Sequence, residues 1–480
     1  MEDAEKIRSE ITRLTREYVR LKHGNFLPAE RRGDAEFVPG VTVIPYAGRV
    51  FDGDEVEAAV GSSLDFWLTL GGEGDAFEKE LATYLGIKRS ILTNSGSSAN
   101  LLSFSALTSG KLPPERRVKA GDEVITAAAG FPTTVAPIIQ NGAVPVFLDS
   151  DPLTTNIDSR LLEEAYTPGK TKAVMMAHTL GNPFDLGAVV EFCRRHDLWL
   201  IEDNCDALGA EYLRPDATYG LTGTFGDLST QSFYPAHHLT LGEGGAVNIG
   251  RDMRFKVIVE SFRDWGRDCW CASGKDDTCG KRFGWRLGAL PEGYDHKYIY
   301  SHLGFNMKPL DLQAAIGRQQ MKKLPDFVRV RRENWEVLRR SLAPLEEFFD
   351  FMQPTHAKRW TPDGFEWEPG HVERSRPSWF GFMLLRKPGA PFNRLELARF
   401  LEARKIGNRG LFGGNLVRQP VFMELAQERP GAFRVLGDLP GADRLMNDSL
   451  FVGIYPGLTR PMLDYIAESI HDFVKARRAA

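Results

Sequence analysis

The residues best equipped for chemistry fall in five short polar stretches: Asn94 to Ser98, Gly130 to Thr134, His178 to Asn182, Glu202 to Asp206 and Ser232 to His238. In "NSGSSAN", Gly96, Ser97 and Ser98 combine small side chains with hydroxyls. At the mouth of a helix, their free N–H groups and the positive helix end would cradle a phosphate. The same serines could simply cap the helix. Asp203 follows "LWLI", where its carboxylate could hold a pyridinium nitrogen protonated or serve as a loop cap. Phe131, in "AAGFPTT", could stack on a flat ring or belong to the core. The loop "SFYPAHHLTLGEGG" carries His237 and His238, and an imidazole with an unperturbed pKa of about 6.5 suits general-base work at neutral pH. His238 reads as a structural neighbour.

A second grouping, "DCWCASGKDDTCGKRF", sets Cys269, Cys271 and Cys279 in the spacing C-x-C-x7-C. Thiolates in such a pattern suit a zinc site or an iron–sulfur cluster, and either needs a fourth ligand from elsewhere. Cys205 stands two residues after Asp203, whereas Cys193 lies inside the helical pattern "LGAVVEFCRRHD" and reads as a buried structural thiol.

The elements that must position these residues alternate. "SILTN", "DEVITAA", "VPVFLDS", "KAVMMAH" and "LWLIED" read as short, nearly continuous apolar strands, and "SSANLLSFSALTS" and "LGAVVEFCRRHD" as helices of 3.6-residue period. This alternation predicts an α/β fold with a mainly parallel sheet covered on both faces. Ligands of such sheets bind outside the carboxyl ends of the strands, where all five polar stretches fall. A long helical region is predicted to lead into a smaller C-terminal α+β part, and its stretch from Arg329 to Arg340 reads as a solvated face. The expected division is an N-terminal helix and arm (1–55), a large cofactor-binding domain (56–330) and a small C-terminal domain (331–480). In that last part Arg409, Asn415 and Arg418 are expected to contribute to an anion or sugar pocket.

With 60 Lys and Arg against 64 Asp and Glu, the net charge is −4, which leaves no basic footprint for nucleic acid or an anionic membrane surface. No apolar run approaches about 18 residues, and the start "MEDAEKIRSEITRL" is charged, so no membrane span or signal peptide is expected and a cytoplasmic setting follows. Five cysteines in that setting argue against a disulfide framework.

Taken in order, "NSGSSAN", "GFPTT", "HTLGNP", "EDNCDALGA", "SFYPAHHLTLGEGGA" and "GFNMKPLDLQAAIG" resemble the pyridoxal-phosphate-dependent DegT/DnrJ sugar aminotransferase family, with the fold type I architecture of the aspartate aminotransferases. The resemblance implies that Gly96, Ser97, Ser98 and Ser232 bind the cofactor phosphate, that Phe131 stacks on its ring, and that Asp203 pairs with the ring nitrogen. It implies further that Asp206 lies near the ring hydroxyl and that Asn306 reaches the phosphate of a neighbouring subunit in a homodimer. The family's cofactor-anchoring lysine falls at His237, and an imidazole cannot form a Schiff base. The cofactor is then held non-covalently, as pyridoxamine phosphate (PMP), with His237 as the catalytic base.

Within the family this change resembles the keto-deoxysugar 3-dehydratases, and the cysteines resemble those of the iron–sulfur kind, which act on CDP-4-keto-6-deoxyglucose. By that resemblance Cys205, Cys269, Cys271 and Cys279 hold a [2Fe–2S] cluster fed by a separate NAD(P)H-dependent flavin or iron–sulfur reductase. The substrate is a nucleotide-diphosphate-linked 4-keto-6-deoxyhexose, with dTDP an alternative to CDP. Two rival readings are a glutamate-regenerated dehydratase without a cluster and a non-catalytic sensor that binds the cofactor.

Overall fold

The computed structural model describes residues 2–27, 29, 37–271, 274–368 and 372–478. Along the first two thirds of the chain the helices are α1 (Glu2–Lys22), α2 (Gly53–Asp65), α3 (Gly72–Leu85), α4 (Gly96–Leu107), α5 (Pro132–Gln140), α6 (Leu162–Ala165), α7 (Leu186–His196), α8 (Arg254–Arg263) and α9 (Asp311–Leu342). The strands there are β1 (Arg89–Thr93), β2 (Glu123–Ala127), β3 (Val144–Leu148), β4 (Thr171–Ala177), β5 (Trp199–Asp203), β6 (Glu211–Leu213), β7 (Tyr219–Leu221), β8 (Leu228–Ser232) and β9 (Gly245–Ile249).

The main sheet has the order β1-β9-β8-β5-β4-β2-β3, and the short strand Arg434–Val435 adds to its edge beside β3. Only β9 runs antiparallel to its neighbours. Residues of β5, β8 and β9 are buried at every position, because helices cover both faces. Leu102, Phe104 and Leu107 of α4 pack with Phe255, Ile258 and Val259 of α8 on one face. Val189, Phe192 and Cys193 of α7 pack on the other, so Cys193 is a core thiol whose pKa burial pushes up. This is the mainly parallel α/β architecture expected from the strand and helix alternation.

Local signals account for the helix ends that face the sheet's carboxyl edge. Ser95 caps α4 by accepting from Ser98 N–H at 3.1 Å, and Pro132 starts α5, where a missing N–H costs nothing. The N-terminus of α3 is capped from far along the chain. Asp311, the first residue of α9, accepts from the N–H groups of Gly71 and Gly74, both at 2.8 Å.

Helix α9 joins the large sheet's surroundings to a second sheet of four antiparallel strands: Phe349–Phe351, Gly381–Arg386, Ser449–Gly453 and Asn408–Arg409. Phe327, Trp335 and Leu338 of α9 share one apolar cluster with Phe77 of α3 and Phe382 of the second sheet. The stretch read as a solvated face is only partly so: Arg331 is 1% exposed and Arg339 5%. The helical period sets Arg331, Trp335 and Leu338 on the same buried stripe. Strands β6 and β7 form a hairpin, and β6 pairs on its other side with Ser375–Arg376. Among the described residues no helix is long and apolar enough to cross a membrane.

Candidate active site

A cavity of about 500 Å³ opens at the carboxyl edge of the main sheet. All five polar stretches supply it: Ser95, Gly96 and Ser97 after β1, Phe131 and Thr134 at the start of α5, Thr179 after β4, Asp203, Cys205 and Asp206 at the end of β5, and Ser232, Tyr234 and His237 at the end of β8. Residues from outside the main sheet close the remaining side: Tyr46, Phe380, Arg409, Phe412 and Phe451. The loop carrying Phe412 is held there by hydrogen bonds of Gly413 N–H to Gly130 O (3.1 Å) and of Leu416 N–H to Ala128 O (2.9 Å).

Asp203 is 5% exposed and accepts four hydrogen bonds. Its Oδ2 takes Asn100 Nδ2 at 2.9 Å and Thr134 Oγ1 at 2.7 Å, and its Oδ1 takes Cys205 N at 3.2 Å and Thr230 Oγ1 at 3.4 Å. The Thr230 hydroxyl shares its one hydrogen between Asp203 and Asn100 Oδ1, at 2.7 Å the shorter branch, which locks the asparagine's orientation. A carboxylate fixed in this way at a strand end suits recognition of a cationic ring N–H.

The mouth of α4 fits a phosphate. A Cβ on Gly96 would stand 2.4 Å from Ser232 Cβ, and one on Gly245 would stand 2.4 Å from the Ser95 carbonyl carbon, so only glycine at these positions lets the helix N-terminus lie this close to the end of β8 and the start of β9. Gly96, Ser97 and Ser232 line the cavity. Ser98 does not; its hydroxyl accepts from Ser95 Oγ at 3.0 Å. Phe131 lines the cavity with half its surface exposed, an aromatic face suited to stacking. Phosphate cradle, aromatic face and fixed carboxylate together match the donor and acceptor needs of PMP.

His237 lines the cavity with Nε2 3.3 Å from Asp206 Oδ1. Its backbone oxygen accepts from Arg331 Nη2 at 3.3 Å. Arg331 Nη1 also donates to the carbonyls of Trp379 (3.3 Å) and Phe380 (3.2 Å), and burial lowers its pKa to about 10. His238 turns away: it is 3% exposed, its Nε2 bonds the Ser378 carbonyl at 2.8 Å, and burial pushes its pKa well below the usual imidazole range.

The stretch from His178 to Asn182 is mainly structural. His178 and Glu202 are fully buried and paired at 3.0 Å, and Glu202 also accepts from the N–H groups of Gly223, Phe225 and Gly226. Asn182 bonds the backbone of Thr154, Gln353 and Thr355. Of the three C-terminal residues, only Arg409 reaches the cavity. Asn415 and Arg418 both bond Asp443, at 2.7 Å and 2.9 Å, which corrects their expected role in an anion pocket. Asn306 is outside the cavity lining of this chain and accepts from Lys308 Nζ at 3.3 Å.

The cysteines are not assembled as one ligand set. Cys205 sits in the cavity, with its thiol pKa pushed up by burial and by the charge of Asp203. Cys271 N–H donates to Cys269 Sγ at 3.5 Å and Thr278 Oγ1 to Cys271 Sγ at 3.0 Å. Ala272 and Ser273 of this loop lie outside the described residues, among which no three His, Cys, Asp or Glu side chains form a metal-ligating group.

Asn100, Phe380 and Phe412, which line the cavity, and Arg331, which donates to the His237 carbonyl, are residues that sequence reasoning missed. Asn100 had a usable signal, since it lies three residues after Ser97 on the same helix face. Phe380 and Phe412 had none, because they reach the cavity from a different part of the chain.

Residues 51–471 match the DegT/DnrJ/EryC1/StrS aminotransferase family. The chain is similar to the lipopolysaccharide biosynthesis protein RfbH of Salmonella typhimurium, at 48% identity over 98% of each chain. It is similar also to the dTDP-4-dehydro-2,6-dideoxy-D-glucose 3-dehydratase of Saccharopolyspora spinosa, at 46% identity over 91% of this chain and 88% of that one. Among solved structures it resembles the E. coli GDP-4-keto-6-deoxy-D-mannose-3-dehydratase with bound hydrated PLP, with a TM-score of 0.74 and 27% identity over 89% of this chain and 98% of the other. With its sheet, its cavity and this match over most of its length, the chain belongs to the DegT/DnrJ/EryC1/StrS aminotransferase family.

Proposed function

We propose that this protein is a PMP-dependent nucleotide-sugar 3-dehydratase that draws electrons through a [2Fe–2S] cluster. The observation that carries the dehydratase reading is that His237, at the loop position where the resemblance puts the family's anchoring lysine, lines the same cavity as Asp203 and the mouth of α4. Two relatives named as sugar 3-dehydratases support it.

Gly96, Ser97 and Ser232 hold the phosphate of PMP, Phe131 its ring face, Asp203 its ring nitrogen and Asp206 its ring hydroxyl, with Asn306 contributed by the second copy of a homodimer; Ser98, expected at the phosphate, is instead taken up with Ser95. PMP supplies a primary amine for a sugar ketone and a ring that accepts electron density. His237 Nε2 takes and returns the proton, and Asp206 Oδ1 at 3.3 Å stabilises the imidazolium. Asp203 supplies the counter-charge for the ring nitrogen, and Phe380, Phe412 and Phe451 keep the site poor in water. The substrate, a CDP- or dTDP-linked 4-keto-6-deoxyhexose, loses its C3 hydroxyl.

Cys205, Cys269, Cys271 and Cys279 are the proposed cluster ligands. Four thiolates fit by donor chemistry, although the four are not gathered in the structure described above; when bound, such a cluster supplies one-electron transfer. Cys205 beside Asp203 favours a redox role over structural zinc. A separate NAD(P)H-dependent flavin or iron–sulfur reductase completes the reading.

The test is low-temperature EPR and metal analysis of anaerobically purified protein before and after dithionite, with turnover measured on both keto-sugars. A [2Fe–2S] signal lost in Cys269→Ser, with turnover that requires a reductase, is expected. Zinc without such a signal overturns the cluster, and turnover driven by glutamate alone points to the cluster-free dehydratase. Full activity in His237→Ala refutes the base, and no turnover under any condition leaves the sensor reading.

A further inference from the structure

Cys269, Cys271 and Cys279 lie on one loop, and both ends of that loop are tied to His296. At the first end, Asp268 Oδ1 accepts from His296 Nε2 at 2.9 Å, while Oδ2 accepts from Lys111 Nζ at 2.7 Å and from the Ser301 hydroxyl. The Asp268 N–H donates to Ile299 O at 2.8 Å. At the other end, the Arg282 carbonyl accepts the His296 N–H at 2.9 Å, and the Arg282 guanidinium donates to both carboxylate oxygens of Asp295, at 3.0 Å and 2.6 Å. The His296 ring stacks on Trp285, with centroids 4.6 Å apart, and meets Trp270 edge-on at 5.4 Å. His296 and Asp268 are buried, and because a carboxylate only accepts, His296 Nε2 carries its hydrogen. Inside the loop, Cys271 N–H donates to Cys269 Sγ, and Thr278, next to Cys279, donates to Cys271 Sγ. Such hydrogen bonds to sulfur are the surroundings that a thiolate ligand needs.

We propose that His296 and Asp268 are positioning residues for the iron–sulfur cluster, forming a clasp that closes the three-cysteine loop in the metal-free protein. Bringing the ends of a flexible loop together costs conformational entropy. With the ends already held by His296, that cost falls on folding and not on uptake of iron. Asp268 is joined directly to Cys269, so the three donors on its carboxylate also fix where the backbone of the first cysteine begins. Lys111, from the chain beyond α4, ties the clasp to the large domain. His296 acts through Asp268 and Arg282 and not as a ligand. The clasp stands on the geometry; its service to a cluster rests on the cluster proposed above.

The test compares wild type, His296→Ala and His296→Gln, each purified anaerobically, by the EPR signal, the rate at which a chelator removes iron, and iodoacetamide labelling of the three cysteines in metal-free protein. His296→Ala should bind PMP as wild type does, lose iron about tenfold faster, the scale of one lost hydrogen bond to a charged group, and label faster. His296→Gln keeps a side-chain N–H for Asp268 and should restore most of the iron retention. Wild-type iron retention in His296→Ala overturns the proposal, as does a glutamine variant no better than alanine. If His296→Ala fails to bind PMP and so to fold, Asp268→Asn, which weakens the same contact without a change in volume, takes its place with the same expectation. A wild type with no [2Fe–2S] signal overturns the cluster reading instead; labelling then decides the clasp, and equal rates in wild type and variant overturn it too.

Discussion

Asparagine at position 203 separates the charge of that side chain from its shape. In wild type, both partners of Asp203 Oδ2 are donors, Asn100 Nδ2 at 2.9 Å and Thr134 Oγ1 at 2.7 Å, so the amide oxygen of Asp203→Asn settles there. Its Nδ2 then faces Cys205 N–H, which donated to Oδ1 at 3.2 Å, and Thr230 Oγ1, which can turn to accept. One donor meets another, at roughly 1–3 kcal/mol for an unmade buried hydrogen bond, which lowers Tm by about 1–3 °C in a chain of 480 residues. The larger effect is on the cofactor. A charge-assisted bond to a protonated ring nitrogen contributes roughly 1.5–3 kcal/mol, so PMP affinity falls about 10- to 150-fold. Titration of PMP followed by absorbance, beside thermal melts of the unliganded protein, reads the two effects separately. Asp203→Asn that melts early yet binds PMP as tightly as wild type would refute the assignment of Asp203 to the ring nitrogen.

Gly96→Ala sets a Cβ 2.4 Å from Ser232 Cβ and 3.1 Å from its Cα, so the start of α4 must shift away from β8. A loss of about 1–3 kcal/mol in thermal or urea unfolding and weaker binding of PMP are expected, and a wild-type melting profile would show that the two elements are not in such close contact. Asp185 tests pH dependence: burial would raise its carboxyl, but His356, Ala188 N–H and the Tyr212 hydroxyl bring it down to about 2 from 3.8. A depressed carboxyl contributes stability above the unfolded value that is lost as pH falls, here about 2 kcal/mol between about pH 4 and pH 2. Urea unfolding across that range should show this loss in wild type and a shallower slope in Asp185→Asn; equal slopes would mean the pairing carries no net stability.

The sheet was legible because its physics is repetitive. Strands such as "KAVMMA" and "LWLIED" are covered on both faces and so spell continuous apolar runs, while α7 repeats apolar positions at the helical period. Strand β8 shows the limit: "LSTQS" is mostly polar yet buried throughout, because Ser229 donates to Gly223 O and Thr230 to Asn100. Those partners lie 6 and 130 residues away in sequence. Arg331 escaped for a related reason. A charged residue among "RVRREN" reads as solvated until the carbonyls of His237, Trp379 and Phe380 are seen to take its hydrogens.

The sequence by itself determined the α/β class and the polar strand ends that make the cavity, because both are matters of residue type and near-neighbour spacing; that His237 stands where a lysine would anchor a cofactor rests on the resemblance. Only the tertiary structure decided which polar groups meet. It closed four donors on Asp203, set Asp206 against His237, turned His238 to Ser378, and drew Asn415 and Arg418 away to Asp443. Hydrogen bonds and ion pairs act over a few ångströms between residues that the chain separates by tens or hundreds of positions, and no local pattern records them.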